Sequence, residues 1–264
     1  MNDCKKIKCV ILDWAGTAVD FGSLAPLRVL SEIFAERGLR LEMAELRAPM
    51  GMPKLDHIRE LLKMERPAAL FKERYGRMPA EDDALAIYAV FEPALMKVLP
   101  DFAAPIAGVC HAVRELRAAG IKIGSTTGYT RRMMDILEPL AREAGYAPDC
   151  VVTPDETRGG RPAPWMIFRN MERLGVYPPS AVVKAGDTAA DIREGKNAGV
   201  TSVGILRGSS EVGLTMSELE ELPAEEVEER KQAARERFYL AGADYVLESV
   251  SELPAFVREI EKDD

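Results

Sequence analysis

Short apolar runs recur along this chain, and segments with helical spacing lie between them. The runs are Val10–Leu12, Ile121–Gly124, Val151–Val152, Val182–Ala185 and Ser202–Leu206, with a weaker one at Tyr245–Leu247. Such alternation predicts a parallel sheet covered on both faces by helices. One stretch breaks it. From Ser23 to Leu99 only helical patterns occur: Leu27, Leu30, Phe34 and Leu39 form one apolar stripe, and Ala84, Tyr88, Phe91 and Leu95 another. Prolines 26, 53, 67, 79, 93 and 100 punctuate this stretch as helix starts, stops or kinks. The expected fold class is α/β, a Rossmann-like parallel sheet core with an inserted helical domain. Residues 1–21 and 101–264 would form the core, and 22–100 the insert.

With 264 residues, the chain can bury a large core without staples. Its formal net charge of −8 argues against a broad nucleic-acid or membrane footprint. A small anionic substrate stays compatible, since a site needs only one or two local cations. The apolar run after the N-terminal lysines stops at Asp13, too short for a secretory signal, and no run reaches the length of a membrane span. The four cysteines, Cys4, Cys9, Cys110 and Cys150, are scattered, and the two histidines, His57 and His111, form no metal-binding set with them. A reduced, cytoplasmic protein is expected. The acidic run Glu218–Arg230 reads as a solvated helix face.

Polar residues sit just past the carboxyl ends of several predicted strands, where open parallel sheets bind ligands. Asp13-Trp14-Ala15-Gly16-Thr17 follows the first strand, and Ser125-Thr126-Thr127-Gly128 the second. Gly159-Gly160-Arg161 lies beyond the third, and Gly186-Asp187-Thr188 with Asp191 beyond the fourth. Asp13, Asp187 and Asp191 would repel one another in one pocket unless a cation joined them. Hard oxygen ligands favour Mg²⁺, which binds one or two carboxylates together with substrate phosphate and water. Arg161 and the Thr127 hydroxyl would then hold phosphoryl oxygens. Asp13 would be the nucleophile, forming an aspartyl phosphate. Singly, each residue has a plainer reading: Asp13 and Asp187 as helix N-caps, Thr127-Gly128 as turn chemistry, Arg161 as a loop residue. Their convergence favours the site.

Asp13…Thr17, Thr127-Gly128 and Gly186-Asp187-x-x-x-Asp191 resemble three motifs of the haloacid dehalogenase superfamily. The resemblance extends to its phosphonoacetaldehyde hydrolase (phosphonatase) family. It is carried by Asp-Trp-Ala-Gly-Thr at 13–17, Met-Gly-x-x-Lys-x-Asp-His at 50–57, Gly-Ser-Thr-Thr-Gly-Tyr-Thr at 124–130, Gly-Arg-Pro at 160–162 and Gly-Ser-Ser-Glu at 208–211. It implies that residues 22–100 are a helical cap domain over an α/β catalytic core, and that the protein is an Mg²⁺-dependent homodimer that converts phosphonoacetaldehyde to acetaldehyde and phosphate. It also implies metal ligation by Asp13, Asp187 and the Ala15 backbone carbonyl, with Asp191 behind them. Spacing alone does not separate Asp187 from Asp191.

Two residues give that resemblance a chemical reason. Phosphatases of the superfamily usually carry a second aspartate, a general acid for the leaving alkoxide, where this chain has Ala15. Lys54, in the cap, would condense with the aldehyde to an iminium, so that the electrons leaving phosphorus collapse into an enamine rather than a carbanion. His57 lies three residues on and shares a helical face with Lys54, suited to relaying protons. Met50 resembles a family residue packed beside the lysine. Ser23 and Ala163 depart from the family pattern, at positions expected to lie off the chemistry but able to alter pocket shape or cap closure. Three alternatives stand beside this reading. A phosphate-ester hydrolase or phosphomutase of the same superfamily is opposed by Ala15. An aspartyl-phosphate receiver is opposed by the large cap and Lys54. An aldehyde-reactive lysine enzyme unrelated to phosphorus is opposed by Arg161 and Thr127.

Overall fold

The computed structural model describes residues 6–262, so Cys4 lies outside the described residues. Six parallel strands form one sheet: β1 (Cys9–Leu12), β2 (Lys122–Thr126), β3 (Cys150–Val152), β4 (Val182–Gly186), β5 (Thr201–Ile205) and β6 (Tyr245–Leu247). Their order is β3-β2-β1-β4-β5-β6. The chain therefore builds outward from β1 in one direction, then crosses back and builds outward in the other. The reversal falls between β1 and β4, where such sheets open a crevice at the strands' carboxyl ends. β1 and β4 are buried along their whole length, which accounts for their apolar runs. β2 runs two residues further than its apolar pattern, because Thr126 still pairs with Val152 of β3.

Between β1 and the rest of the sheet lie five helices and no strand among the described residues: α1 (Leu24–Glu36), α2 (Met43–Arg47), α3 (Lys54–Lys63), α4 (Glu65–Tyr75) and α5 (Glu81–Val98). Leu27, Leu30 and Phe34 of α1 are buried, as are Ala84, Phe91 and Leu95 of α5. Their 3.6-residue spacing thus reports a true buried stripe. The chain leaves and re-enters the sheet side by side. Val19 bridges Pro105, and the Ile106 amide donates to the Ala18 carbonyl at 2.9 Å.

Seven further helices follow among the described residues: α6 (Val109–Ala118), α7 (Arg131–Glu143), α8 (Trp165–Leu174), α9 (Ala189–Ala198), α10 (Met216–Glu221), α11 (Ala224–Ala241) and α12 (Leu253–Ile260). The acidic run at 218–230 is not one helix face. It breaks at Leu222-Pro223 between α10 and α11, since proline cannot continue the preceding helix, and its Val227 is buried. Cys9, Cys110 and Cys150 are free thiols, and His111 is exposed beside Glu115. No helix among the described residues is long and apolar enough to cross a membrane.

Candidate active site

Strand register assembles the site. Leu12 of β1 pairs with Ser125 of β2 on one side and Ala185 of β4 on the other. The residues that follow therefore emerge together: Asp13 from β1, Thr126 and Thr127 from β2, and Gly186 and Asp187 from β4. Asp13, Ala15, Ser23, Met50, Gly51, Lys54, Thr127, Gly128, Tyr129, Arg161, Asp187 and Thr188 line one small pocket. Lys54, Met50, Thr127, Gly128, Arg161 and both aspartates thus meet as the sequence reading expected. Ser23 lines the same pocket. It stands at the mouth of α1 with a left-handed backbone (φ 53°), in a turn that brings it to the pocket wall.

The acidic cluster is tight. Asp13, Asp187 and Asp191 are buried, with one carboxylate oxygen from each lying within 4.8 Å of the others. Burial, then the charges of Asp13 and Asp191, push Asp187 well above the ordinary carboxylate range. Its Oδ2 accepts from the Ser210 amide and hydroxyl, both at 2.8 Å, and Thr17 Oγ1 donates to Oδ1 at 3.3 Å. Asp191 behaves oppositely. Burial works against its ionisation, but Arg161 and Lys184 outweigh it and hold the carboxyl low. Lys184 Nζ lies 2.6 Å from Asp191 Oδ1, and the Thr188 hydroxyl donates to Oδ2 at 2.5 Å. Thr188 also accepts from the Asp191 amide at 3.1 Å, capping α9. Asp191 thus has both oxygens committed behind the pocket, whereas Asp13 and Asp187 line it.

Arg161 is buried among acids. Its Nη2 donates to Asp13 Oδ1 at 2.5 Å and lies 3.0 Å from Asp191 Oδ1. Its Nε donates to Glu194 Oε2 at 3.1 Å. Burial alone would lower its pKa, but Asp13, Asp191 and Glu194 reverse that, so it stays cationic. Thr127 Oγ1 accepts from the Tyr129 amide at 3.1 Å, which leaves its hydroxyl proton free for a ligand.

Lys54 opens α3, and only 7% of it is exposed. Its Nζ makes no hydrogen bond or salt bridge among the described residues and sits 5.2 Å from the Tyr129 ring centroid. Burial lowers its pKa from 10.5 to about 8, partly opposed by Asp13. The positive end of the α3 dipole acts in the same direction. Below about pH 8 the buried ammonium opposes folding by roughly 3 kcal/mol, a cost that fades as pH rises towards 10.5. His57 is fully buried, and burial followed by the charge of Lys54 lowers its pKa to about 3. It is therefore neutral. With Nε2–H donating to the Leu46 carbonyl at 2.9 Å, Nδ1 is an acceptor with no partner among the described residues.

Cap and core meet with no room to spare. A Cβ on Gly51, whose φ is 83°, would lie 2.3 Å from Thr188 Oγ1, and one on Gly128 would lie 2.9 Å from the Met52 carbonyl oxygen. Gly51→Ala is expected to lower kcat/KM by about 10²-fold, the scale of an ångström's misplacement. Steady-state kinetics beside a thermal unfolding curve will check it; an unaltered kcat/KM would show that the seam tolerates displacement.

Sequence reasoning passed over several participants. Lys184 and Glu194 are fully buried beneath the site. The signal for Lys184 was a charge inside an apolar strand; for Glu194 it was the position three residues after Asp191, on the same face of α9. Ser210 lies in Gly-Ser-Ser-Glu at 208–211, a motif whose residue types alone indicate no role. Asp20, whose carboxylate accepts the Leu24 and Ala25 amides at 2.9 and 3.1 Å, is raised by burial to about 6.

A family model for haloacid dehalogenase-like hydrolases matches residues 7–199. A phosphonoacetaldehyde hydrolase of Bacillus cytotoxicus is 49% identical over 257 residues, covering 97% of each chain. A bifunctional phosphonoacetaldehyde hydrolase/aminoethylphosphonate transaminase of Clostridioides difficile is 48% identical over 259 residues; the match takes in 98% of this chain but only 41% of that protein. The crystal structure of a phosphonoacetaldehyde hydrolase-like protein from Oleispira antarctica superposes with a TM-score of 0.93 at 35% identity, covering 97% of this chain and 93% of that one.

Proposed function

The chain belongs to the phosphonoacetaldehyde hydrolase family of haloacid dehalogenase-like hydrolases, and from that premise we propose how its own residues divide the cleavage of a carbon–phosphorus bond. The observation that carries the reading is Lys54, a buried amine without an ionic partner among the described residues, in one pocket with Asp13. The phosphonate is held by Arg161, the Thr127 hydroxyl and the Gly128 turn. Lys54 attacks the aldehyde carbon and, with loss of water, forms an iminium. Neutral His57, three residues along α3, offers its unpartnered Nδ1 as a hydrogen-bond acceptor in support of the lysine, and Met50 packs the pocket wall. Asp13 then attacks phosphorus. The carbon–phosphorus bond breaks, and its electron pair forms the enamine double bond as the iminium nitrogen is neutralised. One water hydrolyses the aspartyl phosphate. The enamine takes a proton on carbon, and a second water releases acetaldehyde and frees Lys54. No step protonates an alkoxide, which suits Ala15.

The donor set fits a divalent cation: clustered carboxylates, one of them pushed well above the ordinary range by burial and then by the charges of its neighbours. Asp13, Asp187 and the Ala15 carbonyl would hold Mg²⁺, with Asp191 fixing the cluster from behind. Bound there, the ion would neutralise the carboxylates and polarise phosphoryl oxygens. The residues leave to the chain itself the work of orientation, nucleophilic attack and amine chemistry. A homodimer in the cytoplasm completes the reading, and sedimentation analysis tests its oligomeric part.

The first test incubates the protein with phosphonoacetaldehyde and Mg²⁺, with a parallel borohydride trap read by mass spectrometry. Equal release of phosphate and acetaldehyde, with the adduct on Lys54, is expected. Release only from phosphate esters would overturn the reading. The pH profile is a second check. The neutral amine is the nucleophile, so kcat/KM should rise along a limb centred near 8, falling by about tenfold per unit below it. A limb near the ordinary histidine value would instead implicate another group.

A further inference from the structure

Beneath the pocket lies a buried charge cluster that the proposed chemistry does not use directly. Lys184 and Glu194 are fully buried, and Arg161, Asp191 and Thr126 tie them to the site. Glu194 Oε2 accepts from Arg161 Nε at 3.1 Å and from the Thr126 hydroxyl at 3.1 Å. Thr126 Oγ1 in turn accepts from Arg161 Nη2 at 2.9 Å. The guanidinium is thereby gripped along one edge by a carboxylate and a hydroxyl that are themselves joined. Nη2 also reaches Asp13 Oδ1 and lies 3.0 Å from Asp191 Oδ1, and Nη1 faces Gly51 of the cap, 3.4 Å from its carbonyl oxygen. A planar guanidinium has no freedom to turn once two edges are fixed. Glu194 Oε1 has no partner among the described residues despite its burial. Burying a carboxylate so incompletely satisfied is costly, and hydrophobic packing would serve stability better.

We propose that Glu194 is a positioning residue for the carbon–phosphorus cleavage: together with Thr126 it fixes the plane of Arg161, and through Arg161 the orientation of the Asp13 carboxylate. This rests on Asp13 acting as nucleophile. Glu194 never meets the substrate. Its removal leaves the positive charge of Arg161 in place for the phosphonate but releases the alignment of Asp13, so the loss falls on kcat rather than KM.

The test is a double-mutant cycle on the full-length enzyme, with kcat and KM for phosphonoacetaldehyde measured in Glu194→Ala, Arg161→Lys and the double variant, and circular dichroism confirming folding. Glu194→Ala is expected to lower kcat by about 10- to 100-fold, the usual scale for an outer partner, with KM within about twofold. Glu194→Gln should recover most of the loss, because its carbonyl oxygen still accepts from Arg161 Nε. Lysine has no Nε–H edge to grip, so in the Arg161→Lys background the same alanine change should cost less than about threefold. Equal losses in both backgrounds, or an unchanged kcat in Glu194→Ala, would overturn the proposal. If Glu194→Ala does not fold, Glu194→Asp, which shortens the reach to Nε, enters the same cycle under the same criterion. Asp13→Asn is measured alongside: activity surviving there would sink the underlying nucleophile assignment, whereas an inactive Asp13→Asn with an additive cycle would sink only the role of Glu194.

Discussion

Lys54→Arg is expected to abolish turnover of phosphonoacetaldehyde, a loss of about 10⁴-fold or more, as for removal of a nucleophile elsewhere. Arginine keeps the positive charge, a long apolar stem and the capacity to lie over the Tyr129 ring. It cannot offer a neutral amine near neutral pH, because its guanidinium does not deprotonate. Binding of a simple alkylphosphonate without a carbonyl should therefore survive, since Arg161, Thr127 and the acidic cluster are untouched. Calorimetric titration with that ligand separates lost chemistry from a lost pocket. The borohydride adduct should vanish. Turnover at the wild-type rate would show that cleavage proceeds without the imine.

Asp13→Asn is the complementary case. It too should cost about 10⁴-fold or more in product release. The amine half of the site stays intact, however, so borohydride should still trap substrate on Lys54 while neither phosphate nor acetaldehyde appears. The variant should also be the more stable protein. The charge of Asp13 is, after burial, the main influence raising the pKa of its neighbour Asp187. Removing it relieves like-charge repulsion on Asp187, a familiar exchange of activity for stability. The lost ion pair with Arg161 pulls the other way, but that guanidinium keeps Asp191 and Glu194. Denaturant unfolding of both proteins checks the sign. Undiminished release of both products would remove Asp13 from the covalent role.

What the sequence disclosed follows from what its residue types can do alone. Asp13, Thr127 and Asp187 were legible because each stands one step beyond an apolar strand, and strand register does the rest. Asp187 and Asp191 could not be told apart by spacing. Their difference lies in what surrounds them: Lys184 and Thr188 hold the oxygens of Asp191, whereas Thr17 and Ser210 hold those of Asp187. Ser23 was legible only as an influence on pocket shape or cap closure, because the left-handed turn that sets it at the pocket wall is invisible in residue type. Lys54 was chemically suggestive in sequence, but its burial and lack of an ionic partner depend on the fold of α2 and α3 around it. Glu194 reads as one more charged helix residue until Arg161 arrives from a loop 33 residues earlier in the chain.

The narrow seam where Gly51 meets Thr188 has a consequence for how this protein comes into being. Residues from both ends of a long stretch of chain must already be in place before the pocket exists: Asp13 from the first strand, Lys54 from the helical stretch, Asp187 from the fourth strand. No fragment holds the set, and contacts so distant in sequence form late because loop closure is slow. Recovery of catalysis after dilution from denaturant should therefore trail the return of helical signal. The enzyme's own reaction serves as a clock for the last step of its assembly.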